Sequence, residues 1–170
     1  MSTEYIVGKS NALVKRCGTR DPYKIAAILG INTLFVDYFN PKGLKGFYRI
    51  TLGERFIFIN NHLPEKMKRI VCTHEIGHDL LHRDEIKGGG IAEFELYNMN
   101  NRREFEANVA AAVISLPDGE ILELIKSGFD TEQIAQIMNS DINLVSVKIN
   151  QLLREGYNVR RADYRSDFLK

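Results

Sequence analysis

The chain has 170 residues, 44% of them hydrophobic, which is enough apolar material for one domain with a real core. With 23 basic against 22 acidic residues, the formal charge of +1 provides no global field of the kind that marks nucleic-acid or membrane-surface proteins. No apolar run approaches the roughly 20 residues that cross a bilayer, and Met1 to Cys17 lacks the unbroken apolar stretch of a secretory signal, so a cytoplasmic protein is expected.

The segment from Glu4 to Cys17 has apolar residues at helical spacing and is followed by Gly18, which predicts a first helix. Asp21 as cap, Pro22 at the first helical position and Gly30 as stop predict a second, with Ile25, Ala26, Ile28 and Leu29 on its face. Ile31 to Val36 reads as a strand. Two apolar runs, Phe47 to Ile50 and Phe56 to Ile59, flank Leu52-Gly53-Glu54 as a β-hairpin within Gly46 to Asn60.

Pro64 opens a long helix to about Leu81, with Met67, Ile70, Val71, His74, His78 and Leu81 along one side. Asp84 to Asn101 carries Gly88-Gly89-Gly90 and reads as a mobile loop with a short strand near Ile91 to Leu96. A further helix is predicted from about Asn101 to Ser115, stopped by Pro117, whose Ala107, Ala110, Ala111 and Ala112 permit close approach to another helix. Three short helices follow, over Gly119 to Lys126, Thr131 to Met138 and Asp141 to Arg154, with Asp130 and Ser140 as caps. Two cysteines, Cys17 and Cys72, are too few for a disulfide scaffold and read as small buried hydrophobes.

The chemistry concentrates in His74-Glu75-Ile76-Gly77-His78-Asp79-Leu80-Leu81-His82. This is an HExxH pattern, in which residues i and i+4 leave one helix face about 6 Å apart, so that two imidazoles can converge on one ion. Glu75, one position on, points beside such an ion, where it can take a proton from an activated water and pass it to a leaving amine. Zinc suits the donors and needs three protein ligands with one position open, so one ligand must come from elsewhere. His82 lies about 12 Å along the helix from His74, too far to share an ion, and reads as a packing or outer residue.

Two sources compete for the third ligand. Asp84 stands six residues after His78, as in HExxHxxGxxH sites, but Leu81 occupies the position where a glycine turns the chain. The next helix offers Glu104 and Glu106, turned about 200° from one another. Glu104 shares a face with Asn108 and Ala111 and is preferred, Asn108 can hold a ligand histidine through a hydrogen bond, and Glu106 reads as a solvated charge. Tyr48, Tyr97 and Arg103 are candidates for stabilising a transition state.

Several landmarks in order make the chain resemble the ImmA/IrrE family of bacterial and phage metallopeptidases. They are Arg20-Asp21-Pro22 with Gly30-Ile31, Leu44-Lys45-Gly46-Phe47-Tyr48, Ile59-Asn60, the His74 to His82 block, and Glu104-Phe105-Glu106-Ala107-Asn108 before Pro117. The resemblance covers about Thr19 to Pro117. It departs at Val109, where phenylalanine is usual, and at Ile114-Ser115-Leu116-Pro117. It implies His74, His78 and Glu104 as zinc ligands, Glu75 as catalytic acid and base, and as substrate a partner transcriptional repressor of a prophage or mobile element.

Thr131 to Ile149 has a helix-turn-helix rhythm, but its second helix offers Asn143, Ser146, Lys148 and Asn150 with a single cation among them, so packing or substrate recruitment is favoured over direct DNA binding. The expectation is an α+β metallopeptidase domain over residues 1–117, in which a small sheet and the HExxH helix pack against a second ligand-bearing helix. A helical extension over 118–170 packs on it. The rival reading is a non-hydrolytic zinc-containing regulator that binds a protein partner or DNA.

Overall fold

The structure, a computed structural model, describes residues 1–86, 92–93 and 101–159. It is an α+β fold, as the sequence patterning leads one to expect. Helix α1 spans Thr3–Cys17, with the Ser2 hydroxyl accepting from the Tyr5 N–H. Helix α2 spans Pro22–Leu29, and Asp21 caps it by accepting from the N–H groups of Tyr23 and Lys24.

Strands β1 (Ile31–Val36), β2 (Gly46–Thr51), β3 (Glu54–Asn60) and the two-residue β4 (Ala92–Glu93) form one sheet in the order β1-β3-β2-β4. β1 runs parallel to β3, β2 and β3 make the predicted hairpin, and β4 pairs antiparallel with Phe47 and Tyr48 of β2. Of the loop expected from Asp84 to Asn101, Asp84 to Ile86 instead continue a helix, and apart from Ala92, Glu93 and Asn101 the rest lies outside the described residues.

Alternation along the hairpin sorts its side chains. Tyr48, Ile57 and Ile59 are fully buried, whereas Phe47, Phe56 and Phe58 line the opposite face half-buried, with Phe47 and Phe58 stacked 4.6 Å apart. The buried face packs on helix α3 (Glu65–Ile86). At Gly46 a Cβ would stand 2.4 Å from Val71 Cγ1 and 2.6 Å from the Phe58 carbonyl, so β2 lies too close to α3 for any side chain.

Helix α3 runs five residues past the predicted end at Leu81. Arg83 to Ile86 holds no glycine or proline to stop it, and the Arg83 guanidinium reaches back one turn to Asp79. Helix α4 (Arg102–Ser115) starts at Asn101, whose side chain accepts from the Arg103 N–H. Its four alanines are completely buried, and a Cβ on Gly77 would lie 2.9 Å from the Ala107 carbonyl, so α3 and α4 meet almost backbone to backbone. Arg20 closes the far end of α4 by donating to the Val113 and Ile114 carbonyls, both at 2.7 Å. Asp21 pairs with Arg69 of α3. Two of the residues that carry the resemblance, Arg20 and Asp21, therefore serve as struts.

The C-terminal helices are α5 (Asp118–Lys126), α6 (Thr131–Ile137) and α7 (Ile142–Arg154). Asp130 makes a reciprocal capping box with Gln133, but α7 is capped by Asp141 rather than by Ser140, because α7 begins one residue later than predicted. Helix α7 packs on α4. Asn143, Ser146 and Lys148, three of the four residues a recognition helix would offer to a groove, are buried within the molecule, Asn150 is half-buried, and Lys148 pairs with Asp118. Cys72 is fully buried, and burial pushes its thiol up to about 12, in keeping with a packing role. Cys17 is half-buried.

Candidate metal centre

The close α3–α4 contact brings together side chains that are 30 residues apart in the chain. His74 and His78 project from one face of α3, and Glu104 reaches them from the first turn of α4. His74 Nε2 stands 3.0 Å from His78 Nε2 and 3.1 Å from Glu104 Oε2, and His78 Nε2 stands 3.3 Å from Glu104 Oε1. All three side chains are at most 1% exposed. Glu75 is also buried, and its Oε2 has no hydrogen-bond partner; neither has Glu104 Oε1, despite its proximity to His78.

This is the arrangement a divalent ion requires. Donors at about 2.0–2.2 Å from a common ion in tetrahedral directions stand about 3.3–3.6 Å from one another, close to the spacings found. Two imidazole nitrogens 3.0 Å apart in a dry interior, beside the Glu104 carboxylate, which forms no ion pair with lysine or arginine among the described residues, leave negative charge and lone pairs facing one point. A cation at that point satisfies both. The cluster therefore fits a metal ion.

The second nitrogen of each histidine is also engaged. His74 Nδ1 lies 2.9 Å from Asn108 Oδ1, an acceptor, so Nδ1 carries the hydrogen and Nε2 is left as a lone pair towards Glu104. His78 Nδ1 lies 3.1 Å from His82 Nδ1. Burial works against a charge on either ring. It wins at His78, whose imidazole is lowered to about 3 in spite of Glu104, whereas at His74 the hydrogen bond that a protonated ring gives Glu104, with the charges of Glu75 and Glu104, outweighs it and raises the value. Burial likewise pushes the Glu75 carboxyl up to about 8. At Glu104 burial pushes upward too, but the nearness of both histidines outweighs it and the carboxyl is lowered.

The structure separates the candidates for the third position. Asp84 lies within α3 and is exposed; six residues of continuous helix carry it about 9 Å along the axis from His78, because no turn follows Leu81. Glu106, read from the sequence as a solvated charge, is 4% exposed: its carboxylate faces His82, Arg102 and the Met1 amine, since α1 covers that side of α4. His82 is correspondingly buried. Helical-wheel geometry alone shows that Glu106 turns away from Glu104, and no residue pattern says that a third helix waits there.

The three candidates for transition-state stabilisation fare differently. The Tyr48 hydroxyl is fully buried and donates to Asp79 Oδ1 at 2.5 Å, so it is already committed. Arg103 pairs with Glu85 at 2.8 Å on the surface. Tyr97 lies outside the described residues. Asp79 itself was missed. It joins β2, β3 and α3 through Tyr48, Arg55 and Arg83, and its only sequence signal is an acidic residue on the buried side of a predicted helix.

Comparison with known proteins agrees with the geometry. Residues 26–150 match the Peptidase M78 family in its IrrE N-terminal-like domain, a span that includes α3, α4 and all three cluster residues. The chain is also 30% identical over 127 residues to the uncharacterized immunity region protein 2 of Bacillus phage phi105, covering 75% of this chain and 77% of that protein. With its buried His74, His78 and Glu104 cluster fitted to a metal ion, the chain belongs to the Peptidase M78 (ImmA/IrrE) family of metallopeptidases.

Proposed function

We propose that this protein is a zinc-dependent endopeptidase that hydrolyses a peptide bond in a protein substrate, with His74, His78 and Glu104 as zinc ligands and Glu75 as general base. The observation that carries this reading is the convergence of three buried donor groups beside a buried carboxylate with a free oxygen. Two imidazoles and one carboxylate with an open fourth position form the donor set of catalytic zinc sites. When bound, zinc supplies a water acidified to a pKa near 7 and a polarised scissile carbonyl.

Each residue then has one task. Glu75 takes the proton of the attacking water on Oε2 and returns it to the departing amine nitrogen. A cation beside it favours the carboxylate that accepts the proton, and burial favours the acid that gives it up. Asn108 holds His74 by accepting its Nδ1–H. The substrate is a regulatory protein, which we take to be a DNA-binding repressor of a phage or mobile element; the immunity-region relative supports this choice. We place the reaction in the cytoplasm; no helix among the described residues is long and apolar enough to cross a membrane. Residues 1–117 form the peptidase part in this reading, and 118–170 a helical extension that packs on it or recruits the substrate.

The test is metal content by mass spectrometry, paired with a cleavage assay against candidate DNA-binding repressors of the phage or mobile-element class. Near-stoichiometric zinc should be lost in Glu104→Ala and kept in Asp84→Ala. Glu75→Gln should keep zinc and cleave about 10²–10⁴-fold more slowly. A folded protein without metal, or a Glu75→Gln variant with full turnover, rejects the assignment. Full biological activity of Glu75→Gln without any cleavage would instead support a non-hydrolytic regulator.

A further inference from the structure

We propose that His82 is a positioning residue for the metal centre: held by Glu106, it accepts the Nδ1–H of His78 and so leaves the Nε2 lone pair of His78 facing His74 and Glu104. The inference rests on the reading of His78 as a ligand. Three buried groups form an unbroken chain outward from the cluster. His78 Nδ1 is 3.1 Å from His82 Nδ1, and His82 Nε2 is 3.0 Å from Glu106 Oε2.

The direction of the hydrogens follows from the outer end. A carboxylate only accepts, so the hydrogen between His82 and Glu106 belongs to His82 Nε2. A neutral His82 then has a bare Nδ1. The hydrogen in the contact between the two Nδ1 atoms must therefore come from His78, which leaves Nε2 of His78 unprotonated. The opposite order needs a charged His82, and Glu106 already has two cations, the Met1 amine and Arg102. Its other oxygen serves them, while Oε2 is turned to His82.

Each ligand histidine thus has its own holder rooted in α4. Asn108 serves His74 directly, and Glu106 serves His78 through His82. An outer histidine explains two features at once: a third histidine buried one turn past the HExxH pair, and a glutamate buried on the side of α4 away from Glu104.

The experiment joins long-range ¹H–¹⁵N spectra of the histidine rings, in metal-free and zinc-loaded protein, to zinc affinity by chelator competition in His82→Leu and His82→Asn. The two replacements are nearly the same shape, but asparagine places an acceptor oxygen where the ring Nδ1 stood. The expected result is an Nδ1–H tautomer at His78 in the parent, zinc binding weakened about 10–100-fold in His82→Leu, and binding close to the parent in His82→Asn. A His78 ring protonated at Nε2, undiminished affinity in His82→Leu, or equal losses in the two variants would overturn the proposal. If His82→Leu does not fold by circular dichroism, the parent tautomer and the asparagine variant still decide. A parent that binds no zinc would refute the metal-centre reading, and the metal-free tautomer would judge the positioning role separately.

Discussion

Two buried polar clusters hang from consecutive residues of α3, and they are built in opposite ways. At Asp79 every lone pair is met by a donor: the Tyr48 hydroxyl at 2.5 Å, Arg55 Nη1 at 3.1 and 3.0 Å to the two oxygens, Arg83 Nε at 3.0 Å, and Arg83 Nη2. At His78 and its neighbours, acceptors face acceptors, and one oxygen each of Glu75 and Glu104 lacks a hydrogen-bond partner. The first cluster completes its hydrogen bonding from its own chain and binds the sheet to the helix. The second is complete only with something added. Satisfaction, and not burial or charge, distinguishes a strut from a site when both sit on one helix a residue apart.

The largest effect on stability should come from breaking the satisfied cluster. Asp79→Ala leaves Arg55 and Tyr48 without their buried acceptor and should cost about 2–4 kcal/mol in urea unfolding, moderated because the Arg83 side chain is 39% exposed and can turn to water. Stability unchanged within 1 kcal/mol would show that the hub is dispensable. Gly77→Ala comes next. Its added methyl would press on the Ala107 carbonyl, at 2.9 Å, and should cost about 1–3 kcal/mol while weakening zinc binding, because it drives α3 away from the helix that carries Glu104. Parent-like zinc affinity in that variant would mean that the centre does not depend on the close helix contact.

The same measurement on Glu104→Ala should show the contrast at its plainest. Zinc is lost, yet the metal-free protein should change by less than about 1 kcal/mol, because one partnerless buried carboxylate oxygen disappears with the side chain. A metal-free loss as large as that of Asp79→Ala would mean that the two clusters are alike. The smallest effect is expected at Lys148, a completely buried ammonium. Burial lowers its value from 10.5 although Asp118 opposes this, so the folded form sheds its proton at a lower pH than the unfolded chain. In that window the unfolded state binds more protons, and stability rises as pH climbs towards 10.5. Lys148→Met should therefore stabilise the protein at pH 7 by at most about 1 kcal/mol, with the advantage shrinking by pH 10. A thermal midpoint difference that grows with pH would contradict this sign.

Much of this was legible in the residues. Apolar spacing with Gly18 placed α1, the Asp21 cap with Pro22 and Gly30 placed α2, and two apolar runs about Gly53 placed the hairpin, each within a residue or two, because those signals act over one turn of chain. The i and i+4 spacing put His74 and His78 on one face, and the shared face of Glu104 and Asn108 put Glu104, and not Glu106, beside them. The end of α3 was misplaced for a physical reason: its last turn is steadied by Arg83 on Asp79, a side-chain bond that no propensity records. The cap of α7 moved from Ser140 to Asp141 for the ordinary reason that helix ends depend on which of two good caps the tertiary fold uses.

What the sequence determined by itself were the local facts: which segments coil, which pair, and which two histidines and which glutamate have the chemistry and the facing to meet. Only the tertiary structure decided what covers each face. Helix α1 turned Glu106 from a solvated charge into a buried partner of His82, the sheet drew Tyr48 onto Asp79, and the packing of the C-terminal helices buried Asn143, Ser146 and Lys148, which a DNA reader would expose. Periodicity fixes the angle at which a side chain leaves its own helix, whereas burial depends on neighbours tens of residues away, and these are set when the whole core closes.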